Sequence, residues 1–334
     1  MDEAANHCAL SSPPADRAAD DRPSGRPPAP NPPVPNLGLV CITVGPEIRY
    51  RTITRTRFLS YDEPRQAEAL DDLYRHNVQT LFAAVDYCAA LGVRLYRVTS
   101  NLFPQIDHPV GQRVFQSLRA AMGPFADYAG RKGVRVIIHP DQYVVLNSES
   151  EQVAANSVAI MRDHADAFDA LGLPRTPWAC MILHGGKGGR ADAMVAAIGR
   201  LPENVRTRLV LENDESCYGA EEILDICRRA KVPMVFDAHH HAVRAKLDSY
   251  EHESVRHFTR AARDTWPRPD WQVVHISNGS AEFGDEKHSE LIADFPSAYL
   301  DVPWVEVEAK GKEVAIDSLR LRLMLGDRAP AGGK

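Results

Sequence analysis

At 334 residues and a formal net charge of -6, the chain can hold two average domains or one large barrel, and it has no overall basic field for gripping nucleic acid. Its six cysteines (Cys8, Cys41, Cys88, Cys180, Cys217 and Cys227) form no CxxC and no paired spacing, which points to a reducing, intracellular compartment. No apolar run approaches the roughly 18 residues of a membrane span and no signal pattern opens the chain, so a soluble cytosolic protein is expected.

The first 36 residues carry nine prolines, from Pro13 to Pro35, among Ala, Asp and Arg. Such a segment buries too little to offset the cost of ordering it, so a disordered tail is expected over 1–36, then one folded domain over 37–326 and a flexible end over 327–334. Within the folded span, short β-leaning runs recur at 37–43, 93–98, 134–138, 179–183, 208–211, 233–236, 272–276 and 303–307. Helix-period stretches separate them. Ala67, Leu70, Leu73, Asn77, Leu81, Val85, Cys88 and Leu91 fall on one helical stripe, and Val153, Ser157, Ile160, Met161, His164 and Phe168 on another. Eight strand-helix units predict an α/β fold, a single (β/α)8 TIM barrel. A doubly wound open sheet is the alternative, disfavoured because no glycine-rich fingerprint follows the first strand.

A barrel places its active site where the strands end. Here the third strand runs into His139-Pro140-Asp141-Gln142-Tyr143, the fourth into His184, the fifth into Glu212-Asn213-Asp214 and the sixth into Asp237-Ala238-His239-His240-His241. The seventh contains His275, and the eighth ends in Glu308-Ala309-Lys310. A single histidine at a strand end is ordinarily a hydrogen-bonded loop residue. Six consecutive strands presenting imidazoles and carboxylates at one mouth would repel or stay protonated unless cations gathered them. Asp237 and His240, three apart, can aim at one ion, and this oxygen and nitrogen set suits Mn, Zn or Fe better than Mg or Ca. The donors outnumber the three or four that one zinc takes, which favours two or three metals.

These pieces, with Leu37–Thr43, Arg97–Pro104, His184–Gly189, His275–Ser277 and Glu308–Glu313, appear in the order found in the UV damage endonucleases, and the chain resembles that family over 37 to about 325. The family's barrel is related to that of the endonuclease IV type of abasic-site enzyme. The resemblance implies that His139, His184, Glu212, Asp237, His240, His275, His288 and Glu308 are metal ligands, with Mn(II) the metal; His288 enters only through it. It also implies that Gln142 and Tyr143 probe the duplex at the damaged bases, where a planar amide and an aromatic ring can fill the space of displaced bases. His239 and His241 are assigned orienting or phosphate-facing roles.

There are two departures from the family pattern, at Val273 and at the pair Leu39 and Thr43. Val273 stands two residues before the seventh-strand histidine, where the family commonly has a carboxylated lysine that bridges metals; a valine cannot. Leu39 and Thr43 replace an aromatic and an asparagine that assist damage contact in some relatives, leaving more of the probing to Gln142 and Tyr143.

Divalent cations about 3.5–4 Å apart can activate a water, hold a phosphate and neutralise a leaving oxygen, so phosphodiester hydrolysis is the matching reaction. The expected product is a nick 5′ to a UV photoproduct, with a 3′-hydroxyl and a 5′-phosphate and no ATP or nucleotide cofactor. A hydroxide on the metals, Lys187 or Lys310 would manage protons and charge. Damaged duplex DNA is the expected partner, abasic sites a further substrate, the nucleoid the location, and a monomer the simplest assembly. Arg49, Arg51, Arg55 and Arg57, if extended, lie on one side for phosphate contact; the alternative is surface pairing with Glu47, Asp62 or Glu63. Two other classes stay open, a metal-dependent sugar isomerase or epimerase and a lesion-binding protein that has lost cleavage.

Overall fold

The computed structural model describes residues 34–325 apart from Gln142, so most of the predicted tail, the predicted flexible end and one of the two expected probe residues lie outside the described residues. Eight parallel strands close into a barrel in sequence order: β1 (Asn36–Val40), β2 (Leu95–Val98), β3 (Arg135–Ile138), β4 (Met181–His184), β5 (Leu209–Glu212), β6 (Met234–Asp237), β7 (Val273–Ile276) and β8 (Trp304–Val307), with β8 returning to β1. The open-sheet alternative is thereby excluded. β1 begins one residue inside the stretch assigned to the tail, and Val34 and Pro35 ahead of it are already buried.

The helices of the described residues are α1 (Arg55–Leu59), α2 (Glu63–Ala90), α3 (Pro109–Met122), α4 (Phe125–Lys132), α5 (Glu151–Ala170) and α6 (Ala191–Gly199). They continue with α7 (Glu203–Arg206), α8 (Ala220–Ala230), α9 (Ala238–Ala245), α10 (Glu253–Arg263) and α11 (Lys312–Leu325). In α2, Asp62 caps the first turn by accepting from the Arg65 N–H, and Leu70, Leu73, Asn77, Leu81, Val85 and Cys88 of the predicted stripe are buried. In α5 the stripe starts one turn later than predicted: Ser157, Met161 and Phe168 are buried, whereas Val153 in the first turn is exposed.

Alternation along the strands divides the interior in two. Tyr96, Val136, Met181, Leu209, Met234, Val274 and Val305 face the helices and belong to the large outer core. Leu95, Ile137, Ile182, Val210, Val235 and Val273 form a smaller apolar cluster with Trp266 and Trp271. Val273, the departure noted above, belongs to this cluster and has no exposed surface. Two residues further along the inward-facing rows, the character changes from apolar to titratable at Arg97, His139, His184, Glu212, Asp237 and His275.

Candidate metal centre

Register brings the titratable layer together. His184 is paired with Glu212 across β4 and β5, Asp237 with His275 across β6 and β7, and His275 with Glu306 across β7 and β8. Asp237 is both the last residue of β6 and the N-cap of α9, its Oδ1 accepting from the His240 N–H at 2.8 Å. The three histidines therefore occupy the first turn of a helix. The 3.6-residue period returns His240 to the side of Asp237 and turns the others away: His239 is hydrogen-bonded to the Tyr250 hydroxyl (2.7 Å) and the Asp285 carbonyl (2.9 Å), and His241 to the Ser254 hydroxyl (2.8 Å). Burial pushes His239 down, and His241 down to about 4, so both rings are neutral at neutral pH and act through these hydrogen bonds.

Glu212 sits at the middle. Its side chain is 1 % exposed, with Oε2 3.0 Å from His139 Nε2 and 4.0 Å from His184 Nε2, and Oε1 2.7 Å from His275 Nδ1 and 3.9 Å from His240 Nε2. Three groups have donor atoms close enough to share an ion: His139, His184 and Glu212; Glu212, Asp237 and His240; Asp237, His275 and Glu308. Seven of the eight expected ligands are thus gathered at one mouth. The eighth, His288, lies on a loop held by an antiparallel bridge to Gly279; its ring centroid is 6.4 Å from that of His240, and it belongs to none of the three groups.

The chemistry of these donors fits divalent cations. His139 Nδ1 is 2.9 Å from the Pro140 carbonyl and must donate there, which turns the Nε2 lone pair toward the Glu212 carboxylate; a proton or a cation has to lie between them. His240 Nδ1 is likewise held from behind by Glu215 Oε2 at 2.6 Å, leaving Nε2 toward Glu212 and Asp237. Asp237 Oδ2 and His184 Nδ1 are buried without a hydrogen-bond partner. Burial alone would raise the Glu212 carboxyl, but His275 and His184 hold it well below the carboxylate range. Burial alone would lower His275, yet Glu212 and Glu306 push it up to about 10, and His240 is driven well above the ordinary imidazole range by Asp237 and Glu215 despite its burial.

These shifts fix a pH dependence. A histidine raised to about 10 stabilises the metal-free fold fully below its unfolded value of about 6.5, and that contribution fades as pH climbs toward 10. Metal binding at this cluster would run the other way, because ions taken up there would displace those protons. At pH 7.5, Mn(II) binding is expected to release about two protons, one each from His275 and His240. Calorimetry in two buffers of different ionisation enthalpy measures this; release of none would show that these rings do not take the metal.

Sequence reasoning missed three members of the centre. Arg97 on β2 is 2.5 Å from Oε1 of both Glu306 and Glu308. Burial lifts the Glu308 carboxyl, but Arg97 and His275 hold it well below the usual range. Glu306 has no exposed side-chain surface, and its carboxyl is raised by burial against the pull of Arg97 and His275. Glu215, behind His240, is held down to about 2 by that ring's hydrogen bond.

The expected proton managers stand at the rim. Lys187 Nζ pairs with Glu149 at 2.7 Å, both exposed, and Lys310 is exposed while its backbone N–H bonds the Ser289 carbonyl. Gly186 explains the glycine-rich run before Lys187: it has φ 75°, and a Cβ there would collide with Asn147 Oδ1, the atom that takes the Lys187 N–H at 2.8 Å. Tyr143 is 71 % exposed on the loop after β3. Leu39 and Thr43 are both buried, Thr43 holding its own loop through Gly45 and Ile48, so neither offers a side chain to DNA.

The extended arginine strip is corrected. Thr54 caps α1 by accepting from the Arg57 N–H, so the chain turns helical at Arg55, and residues two apart on a helix do not share a face. Arg49 is spent on the Thr43, Ile48 and Val44 carbonyls. Arg51 pairs with Asp72, Arg55 with Asp107, and Arg57 donates to the Tyr61 hydroxyl; these partners differ from Glu47, Asp62 and Glu63.

A family profile described as UV-endonuclease UvdE matches residues 35–329. A UV DNA damage endonuclease of Deinococcus radiodurans is 51 % identical over 289 residues, covering 85 % of this chain and 94 % of that protein. One from a Nostoc strain is 46 % identical over 292 residues, covering 87 % and 91 %. Among solved structures, the crystal structure of SacUVDE superposes with a TM-score of 0.71 at 22 % identity, covering 87 % of this chain and 99 % of that one. Endonuclease IV from Thermus thermophilus superposes at 0.53 and 17 % identity, covering 88 % and 100 %, which speaks to the barrel alone. With the profile spanning the whole barrel and two relatives near half identity, the chain belongs to the UV damage endonuclease family and is a DNA repair endonuclease.

Proposed function

We propose that this enzyme nicks UV-damaged duplex DNA on the 5′ side of the photoproduct, without ATP or another nucleotide, leaving a 3′-hydroxyl and a 5′-phosphate, and that it acts as a monomer using two or three divalent cations, Mn(II) first. Abasic sites are the further substrate. The observation that carries this reading is Glu212, buried and met by imidazole nitrogens of His139, His184, His240 and His275. His139, His184, Glu212, Asp237, His240, His275 and Glu308 would hold the ions, with His288 reaching in from its loop. Bound cations supply phosphate binding, an activated water and neutralisation of the leaving oxygen.

The chain's own groups have distinct tasks. Glu212 offers one oxygen to each half of the site, so it sets the spacing between the halves. Arg97 neutralises Glu306 and Glu308 and keeps the eighth strand's acids from repelling one another. Lys187 and Lys310, at the rim, serve phosphate oxygens, and Tyr143 with Gln142 enters the duplex beside the lesion.

Incubation with Mn(II) and plasmid tests the proposal: supercoiled DNA is nicked only after irradiation, and chelator stops it. Tight binding of irradiated DNA without nicking would favour the binding-only reading, which Val273 motivates. Of the four arginines, Arg51, Arg55 and Arg57 face solvent, whereas Arg49 is tied to backbone carbonyls. The pair Arg55→Gln and Arg57→Gln is expected to reduce the slope of log affinity against log salt by roughly 2, about one per phosphate contact, with Arg49→Gln leaving the slope unchanged and lowering stability instead.

A further inference from the structure

Glu306 has no task in the reaction as described, and its setting is costly. It lies on β8 in register with His275, both side chains have no exposed surface, and neither oxygen of its carboxylate receives a hydrogen bond. Arg97 Nη1 is 2.5 Å from Glu306 Oε1, but its approach does not make a hydrogen bond; the guanidinium is aligned on Glu308 instead, at 2.5 Å. His275 Nε2 is likewise buried without a hydrogen bond, and it lies 3.5 Å from Glu306 Oε1. Two buried groups, an oxygen and a ring nitrogen that each lack a hydrogen bond, facing one another at that distance form one interaction that has not closed.

The two nitrogens of His275 face opposite ways. Nδ1 is 2.7 Å from Glu212 Oε1 and 3.7 Å from Glu308 Oε1, inside the cluster of would-be ligands; Nε2 points at Glu306. His240 has the same polarity with the nitrogens exchanged, Nε2 toward Glu212 and Nδ1 on Glu215. A ligating imidazole must present a lone pair to the ion, and its tautomer is set by whatever accepts the proton on the far nitrogen.

We propose that Glu306 is a positioning residue of the metal centre: its carboxylate, anchored by Arg97, accepts the Nε2–H of His275 and so fixes Nδ1 as the nitrogen that takes the metal. The inference rests on the reading of this mouth as a metal centre. It gives His275 a rigid mount at the strand pair where Val273 supplies none, since that valine belongs to the apolar cluster below. Glu306 itself stays out of the ligand set; none of the three groups whose donors converge includes it.

The test uses the full chain stripped of metal and titrated with Mn(II), reading free ion by electron paramagnetic resonance. Glu306→Leu is expected to weaken binding roughly 10–100-fold with the number of bound ions unchanged, and Glu306→Gln, whose amide oxygen still accepts the N–H, to recover most of it. In the zinc-loaded parent, long-range 1H–15N spectra should place the His275 proton on Nε2, a readout that needs no variant. Binding by Glu306→Leu equal to the parent's overturns the inference, as does a His275 proton on Nδ1. Loss of one ion in both variants overturns it too, by making Glu306 a ligand. A parent that binds no Mn(II) overturns the metal centre itself, so the two failures are distinct.

Discussion

Glu212→Gln is expected to lower nicking of UV-irradiated plasmid by on the order of 10³-fold, and the purified variant to carry fewer metal ions than the parent. Among the described residues, Glu212 is the one that meets both histidine halves of the centre, with Oε2 toward His139 and His184 and Oε1 toward His275 and His240. The amide keeps the volume and one acceptor oxygen, but it loses the charge and replaces the second oxygen with an N–H2 donor. One half of the site then meets a donor where an imidazole lone pair or a cation needs an anion. Three orders of magnitude correspond to about 4 kcal/mol of lost transition-state stabilisation, within what a metal site supplies. Plasmid relaxation together with elemental analysis checks both halves of the statement. Full metal content with lost nicking would move Glu212 from holding the ions to acting on the substrate.

The ends of the strands were legible because a parallel barrel converts position along each strand into height in the molecule. A residue that ends an apolar run in the sequence ends at the mouth in space, which is why His139, His184, Glu212, Asp237 and Glu308 could be named without a structure. Glu306 carried a weaker form of the same signal. Lying two residues before Glu308, it shares the inward face of β8 by strand alternation, but an acid inside a strand reads as solvent-facing until register shows His275 beside it. Arg97 was hidden for the same reason. Glu215 follows β5 in a loop, where no periodicity applies, and only the turn of α9 brings His240 over it.

The arginine strip failed on local chemistry. Even spacing of Arg49, Arg51, Arg55 and Arg57 suggests an extended face only if the segment is extended, and Thr54 ahead of Arg55 is a helix cap. The cap was present in the sequence and would have argued against a common face for Arg55 and Arg57. His288 had no such cue, since its loop is placed by one bridge to Gly279 and by the fold around it.

At the other end of the inward rows, Arg135→Met is expected to destabilise the protein by about 3 kcal/mol, a fall of roughly 6 °C in Tm, without changing metal content or lesion nicking. Arg135 is 2 % exposed, and the partners its guanidinium donates to are carbonyls rather than carboxylates. They belong to Trp178 (2.7 Å), Trp271 (2.9 Å) and Pro177 (3.0 Å), and the guanidinium stacks on the rings of Trp178, Trp304 and Trp266 at 4.6, 5.3 and 5.8 Å. Burial lowers its pKa to about 10, so the charge is retained at neutral pH at a desolvation cost that the carbonyls and indole faces offset. Methionine fills much of the same volume yet strands three buried carbonyls, and an orphaned acceptor costs about 1 kcal/mol or more each. Lysine does not rescue, because a single ammonium cannot meet three carbonyls in the plane of a fork or lie flat on an indole. Thermal unfolding of the metal-free parent and both variants decides the matter. A methionine variant as stable as the parent would mean that the desolvation of the guanidinium cancels everything its cage returns; the apolar layer of Leu95, Ile137, Ile182, Val210, Val235 and Val273 would then be the whole support on which the metal centre stands.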